Sequence, residues 1–226
     1  MRKMELIFER VTKKFSDTVA IKDVSFDVRA SCIAFVGGNA AGKSTLLKLI
    51  ATVLKPDEGR IVINGIDAVK RPGLIRKNLS YVPEEPALVE TLTARENLAL
   101  FSRIKGSKCD HRLIQLLQLE INGRKLVRKL SKGTRRKLSL CMALLGEPKI
   151  LVLDEPTNGL DEEAKRIFWK ELAELKEEGV ALVIATHDVE EVQTLADVIV
   201  NLDRGRVVSI QRVNSAASHV QLRYDH

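Results

Sequence analysis

The chain is 226 residues long, enough for one large domain with its own core and too short for two independent ones. Hydrophobic residues make up 45% and charged ones 30%, with 13 Gly and 6 Pro, which excludes a disordered chain and a collagen-like or linker-dominated one. Lys and Arg number 37 against 30 Asp and Glu, a net charge of +7 compatible with nucleic acid, an anionic membrane surface or phosphate-bearing ligands; 4% aromatics argue against stacking platforms for single-stranded nucleic acid.

Short alternating or β-branched runs at Glu5 to Val11, Ala20 to Val28, Ser31 to Val36 and Arg60 to Ile63 predict strands, the first two antiparallel neighbours. Leu46, Leu47, Ile50, Ala51 and Leu54 recur at helical spacing and predict a helix over Lys43 to Leu54, stopped by Pro56. From about Thr93 to Leu145 the pattern is helical and richer in charge than either flank, and reads as an inserted helical subdomain. Two fully apolar strands follow, Ile150 to Leu153 and Val180 to Ala185, on either side of a helix that Asp161 caps and Gly179 ends. Ala164, Ile167, Phe168, Leu172 and Leu175 form that helix's buried stripe. Apolar strands joined through a helix mean a parallel α/β core. Asp197 to Val208 adds a strand pair about the turn Asp203-Arg204-Gly205. The tail, Asn214 to His226, loses periodicity and is expected to fray; residues 1–226 read as a single domain.

Apolar runs reach only six residues, as at Val180 to Ala185, where a membrane span needs roughly 18 to 20. No apolar stretch follows the basic start Met1-Arg2-Lys3, so neither a span nor a secretion signal is expected. Cys32, Cys109 and Cys141 are odd in number and far apart, which fits buried thiols in a reducing cytoplasm better than a disulfide or metal framework.

Gly37-Gly38-Asn39-Ala40-Ala41-Gly42-Lys43-Ser44-Thr45 satisfies G-x-x-x-x-G-K-[ST] between the strand ending at Val36 and the helix opening at Lys43. Glycines let backbone N–H groups wrap phosphates and the helix start adds partial positive charge. Lys43 then bridges β and γ oxygens, and Ser44 offers a hydroxyl to Mg²⁺. Ile150-Leu151-Val152-Leu153-Asp154-Glu155 places two acids at the C-terminal end of a buried strand, where open α/β sheets bind ligands. Asp154 is expected to hold Mg²⁺, and Glu155 to polarise an attacking water as general base, a role worth roughly 10²- to 10⁴-fold in rate. The two motifs specify a P-loop nucleoside triphosphatase, and the lack of Asn-Lys-x-Asp for guanine favours ATP.

A third element begins ahead of Asp154: Leu130-Ser131-Lys132-Gly133-Thr134-Arg135-Arg136-Lys137-Leu138. With it the sequence resembles the ATP-binding cassette (ABC) ATPases, whose signature is usually L-S-G-G-Q. The resemblance runs along nearly the whole chain. Phe15 stands where the family has an adenine-stacking aromatic, followed by the phosphate loop, a Q-loop-like Tyr81-Val82-Pro83-Glu84-Glu85-Pro86, the signature and the strand with its acids. Thr157-Asn158-Gly159-Leu160-Asp161 follows as D-loop and His187 as switch histidine. It implies a RecA-like parallel-sheet core with an N-terminal antiparallel β subdomain and an inserted helical subdomain. It also implies ATP hydrolysis with Mg²⁺ as a head-to-tail homodimer. In that arrangement Ser131, Gly133 and Asp161 of one protomer contact nucleotide held by the other, and His187 contacts the γ-phosphate and attacking water. Ser44, Asp154 and Glu84 are the implied metal residues.

Departures from the family pattern are Glu84 for the Q-loop glutamine, Lys132 for the first signature glycine, Thr134 for its glutamine, and Gly38 and Ala40 in the phosphate loop. Glu84 adds negative charge near the metal, leaving metal ligation or a pH-sensitive link as alternatives. The Ser-Lys-Gly signature and Pro-Glu-Glu-Pro loop look like those of exporter ATPases of the drug and antibiotic or heme type. Arg124 to Lys137 holds eight cations and no acid, either a patch for phosphates, lipid headgroups or acidic partner loops, or a solvated helix face.

The reading that follows is the ATP-hydrolysing subunit of an ABC membrane transporter, peripheral to the cytoplasmic face of the cell membrane. It works with a separate integral-membrane transporter subunit and no nucleic acid. The alternatives are a soluble ABC-type ATPase of an assembly complex, such as iron–sulfur cluster assembly, and a nucleotide sensor without turnover.

Overall fold

The computed structural model describes residues 3–107 and 123–213. The hairpin β1 (Met4–Phe15) and β2 (Thr18–Ala30) leads to β3 (Cys32–Val36) and α1 (Lys43–Ile50). Then come β4 (Glu58–Ile63), β5 (Ile66–Asp67), α2 (Pro72–Arg76) and β6 (Leu79–Val82). The next segment holds α3 (Ala94–Lys105), a 3₁₀ turn (Val127–Lys129) and α4 (Lys132–Leu144). The chain continues through β7 (Ile150–Asp154), α5 (Glu162–Glu177), β8 (Ala181–Thr186), α6 (Val189–Leu195), β9 (Val198–Asp203) and β10 (Arg206–Arg212).

Two sheets result. The first, in order β2-β1-β4-β5, is antiparallel; the second, in order β10-β9-β3-β8-β7-β6, is parallel except for its edge pair β9 and β10. Strands β3, β7 and β8 are buried along their whole length, which is why they read as unbroken apolar runs. Their alternate side chains serve two cores. Ile33, Phe35, Val152 and Val183 meet α1 and the antiparallel sheet, where Phe8 stacks on Phe26 at 4.6 Å. Cys32, Ala34, Leu151, Leu182 and Ile184 meet the helical face with Leu138, Phe168 and Leu172.

The expected antiparallel first pair is present, with both strands longer than the alternation indicates. The helix expected over Lys43 to Leu54 ends at Ile50. Thr52 adopts φ +56 and the N–H groups of Val53 and Leu54 both turn back to Lys48 O, while Arg76 holds Thr52 through its Oγ1 and carbonyl, each at 2.9 Å. The cap of α5 is as expected: Asp161 accepts from Ala164 N at 2.8 Å, and Gly179 follows the helix at φ +95. Strands β5 and β6 and helices α2 and α6 are additions to the sequence reading. Of the expected helical segment 93–145, residues 108–122 lie outside the described residues, as do Cys109 and the tail 214–226. Cys32 and Cys141 are buried, and burial pushes the Cys32 thiol far up.

Candidate active site

The phosphate loop starts where β3 leaves the core. A side chain on Gly37 would meet Leu202 O of β9, and one on Gly42, at φ +103, would lie 2.8 Å from Ala20 O, so both positions require glycine. Gly42 caps α1, and Ala40 makes the turn before it at φ +63. Lys43 is buried. Its Nζ donates to Gly37 O at 2.8 Å and Gly38 O at 3.3 Å and pairs with Glu155 Oε1 at 3.3 Å.

Parallel pairing of β7 with β8 carries Asp154 to the same end of the sheet. Asp154 accepts from Ser44 Oγ at 3.0 Å and from Tyr81 Oη, on neighbouring β6, at 3.2 Å. Burial pushes the Asp154 carboxyl up, against the two hydrogen bonds that favour its charge; burial and that carboxylate push Tyr81 far up. Glu155 follows at φ +44, its N–H bound to Ala185 O at 2.8 Å. Its Oε2 lies 2.8 Å from Nδ1 of His187, whose side chain is 60% exposed. Glu155 is therefore held between a buried lysine and a solvent-facing histidine.

A cavity of about 600 Å³ opens over these groups, lined by the phosphate loop, Thr18 to Ala20, Glu84, Glu155, Asn158, His187, Arg204 and Gly205. Phe15 is not in the lining. It stands at the end of β1, 45% exposed, with Lys13 Nζ 5.5 Å from its ring centroid. Ser131, Gly133 and Asp161 line a separate cavity of about 650 Å³ with Lys125, Lys129, Lys132 and Lys137. Ser131 caps α4, accepting from Thr134 N at 3.1 Å. The Lys132 side chain lies across Gly159, which itself adopts φ +72. The site thus gathers the phosphate loop, Asp154, Glu155, His187 and Glu84, while Ser131 and Gly133 line a different cavity.

The hard oxygens of Ser44 and Asp154, already in contact, have the chemistry that would suit a Mg²⁺ ion. Glu84 lines the same cavity as Ser44, its Oε1 accepting from Asn158 Nδ2 at 2.9 Å, and among the described residues no three His, Cys, Asp or Glu gather as a ready-made metal cage.

Three supporting residues escape the motif reading. Tyr81 is named there only as part of a loop, yet it holds Asp154. Glu191, fully buried on α6, accepts from Thr157 Oγ1 and Trp169 Nε1, each at 3.0 Å, and burial pushes it up to about 6. Arg136, read as one of eight clustered cations, is buried among backbone carbonyls. The signal was available: Arg136 shares the helical stripe of Leu140 and Ala143, and a cation at such a position needs buried acceptors. Of the other cations, Arg135 pairs with Glu90 at 2.7 Å and Lys137 with Glu171 at 3.7 Å.

A parallel-sheet core, a phosphate loop on α1 and a paired acid and histidine at the strand ends define a P-loop nucleotide-binding cassette. Residues 21–158 match the family model for ABC transporters, and the chain belongs to that family. Among curated relatives it is 34% identical over 209 residues to the Nod factor export ATP-binding protein I of Rhizobium etli, covering 89% of this chain and 66% of that one. It is 36% identical over 205 residues to a daunorubicin resistance ATP-binding protein of Streptomyces coeruleorubidus, covering 87% and 65%. The chain thus spans about two thirds of the length of these relatives. A dimeric ATP-binding cassette in a post-hydrolysis state bound to ADP and Pi superposes with a TM-score of 0.82 at 25% identity, covering 93% of this chain and 99% of that one. An ATP-binding subunit of an ABC transporter gives 0.80 at 30% identity, covering 92% and 90%. Among the described residues no helix is long and apolar enough to cross a membrane.

Proposed function

We propose that this chain is one cassette of an ABC exporter, binding and hydrolysing ATP to drive a separate integral-membrane subunit from the cytoplasmic face of the membrane. The observation that carries the reading is Glu155, fixed between Lys43 at 3.3 Å and His187 at 2.8 Å in the cavity over the phosphate loop. Gly37 to Thr45 cradle the triphosphate, and Lys43 exchanges Glu155 for the β and γ oxygens. A water oxygen attacks the γ-phosphorus, Glu155 takes the water's proton, the bond to the β–γ bridging oxygen breaks, and ADP and phosphate leave. His187 orients the γ-phosphate and the attacking water. Ser44 and Asp154 would hold Mg²⁺, with Glu84 in the same cavity wall, and the bound ion would supply neutralisation of phosphate charge. Phe15, exposed beside the cavity's β1–β2 wall, stacks on adenine.

Ser131, Gly133 and Asp161 act on nucleotide held by a second copy of the chain. Their position in a cavity of their own supports this, since one chain does not bring them to its own phosphate loop. Export is supported by the relatives, which are named for Nod factor export and daunorubicin resistance. The test is Glu155→Gln. It should keep nucleotide affinity and lower turnover by roughly 10²-fold or more, with an ATP-trapped dimer in size-exclusion chromatography. Unchanged turnover removes Glu155 from its role. Isolation in a complex lacking any membrane subunit would overturn the transport reading.

A further inference from the structure

We propose that Arg136 is a positioning residue for ATP hydrolysis, tying the loop after β6 to the catalytic end of β7 so that displacement of that loop is felt at Glu155. The inference rests on the reading of Glu155 given above and adds to it the element through which the site is set. Arg136 is 4% exposed, and all three of its guanidinium nitrogens donate to backbone carbonyls. Nη1 reaches Pro83 O and Glu84 O, both at 2.8 Å. Nε reaches Pro156 O at 2.7 Å, and Nη2 reaches Asp154 O at 3.2 Å and Glu155 O more closely.

These acceptors fall in two groups, Pro83 and Glu84 just after β6 and Asp154 to Pro156 at the end of β7, two adjacent parallel strands paired at Val82 and Leu153. A planar, rigid fork bonded to both groups fixes their separation, which a flexible ammonium with three donors does not. Burying such a cation is tolerated here because carbonyl dipoles and the nearby carboxylates of Glu84, Asp154, Glu155 and Glu191 compensate its lost hydration. Glu155 depends on this arrangement. A left-handed backbone at a non-glycine residue persists only when its surroundings hold it, and both backbone polar groups of Glu155 are taken, the N–H by Ala185 O and the carbonyl by Arg136 together with Asn158 N at 3.2 Å. The same guanidinium rides on α4, whose cap is Ser131, so rotation of that helix also moves the fork. A second bridge, Asn158 to Glu84, runs between the same two loops.

The experiment compares Arg136→Lys, Arg136→Gln and Arg136→Ala with the wild-type chain in steady-state hydrolysis, fluorescent-nucleotide binding and thermal melting. The Lys and Gln variants should melt cooperatively, bind nucleotide and show KM within roughly threefold of wild type, while kcat falls about tenfold or more. Guanidinium ion at tens of millimolar should restore part of kcat to the Ala variant, while tetramethylammonium at equal ionic strength should not. Wild-type kcat in the Lys and Gln variants overturns the proposal. So does a parallel loss of kcat, binding and folding in all three, which would make Arg136 structural only. A wild-type chain that binds but does not turn over ATP would overturn the proposed function instead.

Discussion

Glu155 and Glu171 are both acids drawn into the protein interior, and they differ in what meets them. Glu155 finds Lys43 at 3.3 Å and His187 at 2.8 Å, which together occupy both of its carboxyl oxygens. Glu171, 4% exposed on α5, finds only Lys137 at 3.7 Å, with no hydrogen bond to either carboxylate oxygen among the described residues. Burial pushes it from an ordinary 4.5 up to about 7; Lys137 opposes the rise and Glu174 adds to it. The folded state therefore binds more protons than the unfolded chain between those two values, and stability falls as pH rises through that window. Glu171→Gln should stabilise the protein by about 1 to 3 kcal/mol at pH 8 and leave it little changed at pH 4, checked by urea unfolding at both.

The helices are punctuated by caps that a local pattern encodes. Thr93 opens α3 with a reciprocal box: its Oγ1 accepts from Glu96 N at 3.3 Å, and Glu96 Oε2 accepts from Thr93 N at 2.8 Å. Thr93→Ala should cost about 1 kcal/mol of stability, read as a lower urea midpoint with unchanged slope. Hydrogen bonds from the Thr93 backbone and hydroxyl hold the Glu96 carboxyl below its ordinary value. The carboxylate's contribution is thus present above an ordinary carboxylate pKa and lost as pH falls through the lowered one, so the gap between wild type and Thr93→Ala should narrow in acid without closing, because the bond from Glu96 N to Thr93 Oγ1 does not titrate. The end of α1 was not legible in this way. Its apolar spacing continues to Leu54, but the turn at Thr52 is held by Arg76 of α2, 24 residues away. Strand β6, four residues long and bounded by polar loops, gave no usable period, and with it Tyr81 was missed as the partner of Asp154.

On the scale of the molecule, the antiparallel sheet and the parallel core meet at the turn between β9 and β10. Gly205 donates to Ala41 O at 3.0 Å and its carbonyl accepts from Lys22 N at 2.8 Å, which stitches β2 to the phosphate loop. At φ +76, an added Cβ would lie 2.5 Å from Ala20 O. Gly205→Ala should therefore cost about 2 to 3 kcal/mol and weaken nucleotide binding roughly fivefold. Gly65, at the same φ but in open space, supplies the control. Gly65→Ala should cost about 1 kcal/mol and leave nucleotide affinity intact, measured by melting and fluorescence titration.

Read by itself, the sequence determined the chemistry. Phosphate binding needs consecutive glycines, a lysine and a hydroxyl on one loop, and the acid pair needs one buried strand end, so Gly37 to Thr45, Asp154 and Glu155 carry their meaning within a few residues of one another. It also determined the α/β class, because apolar runs record complete burial. The tertiary structure alone decided which groups meet. Glu155 and His187 lie 32 residues apart, Ser44 and Asp154 lie 110 apart, and Arg136 reaches carbonyls more than 50 residues upstream. Such pairings follow from strand order and register, which no local spacing records. The same reason governs the separation of Ser131 from the phosphate loop: each motif is legible alone, while the distance between them is a property of the folded chain.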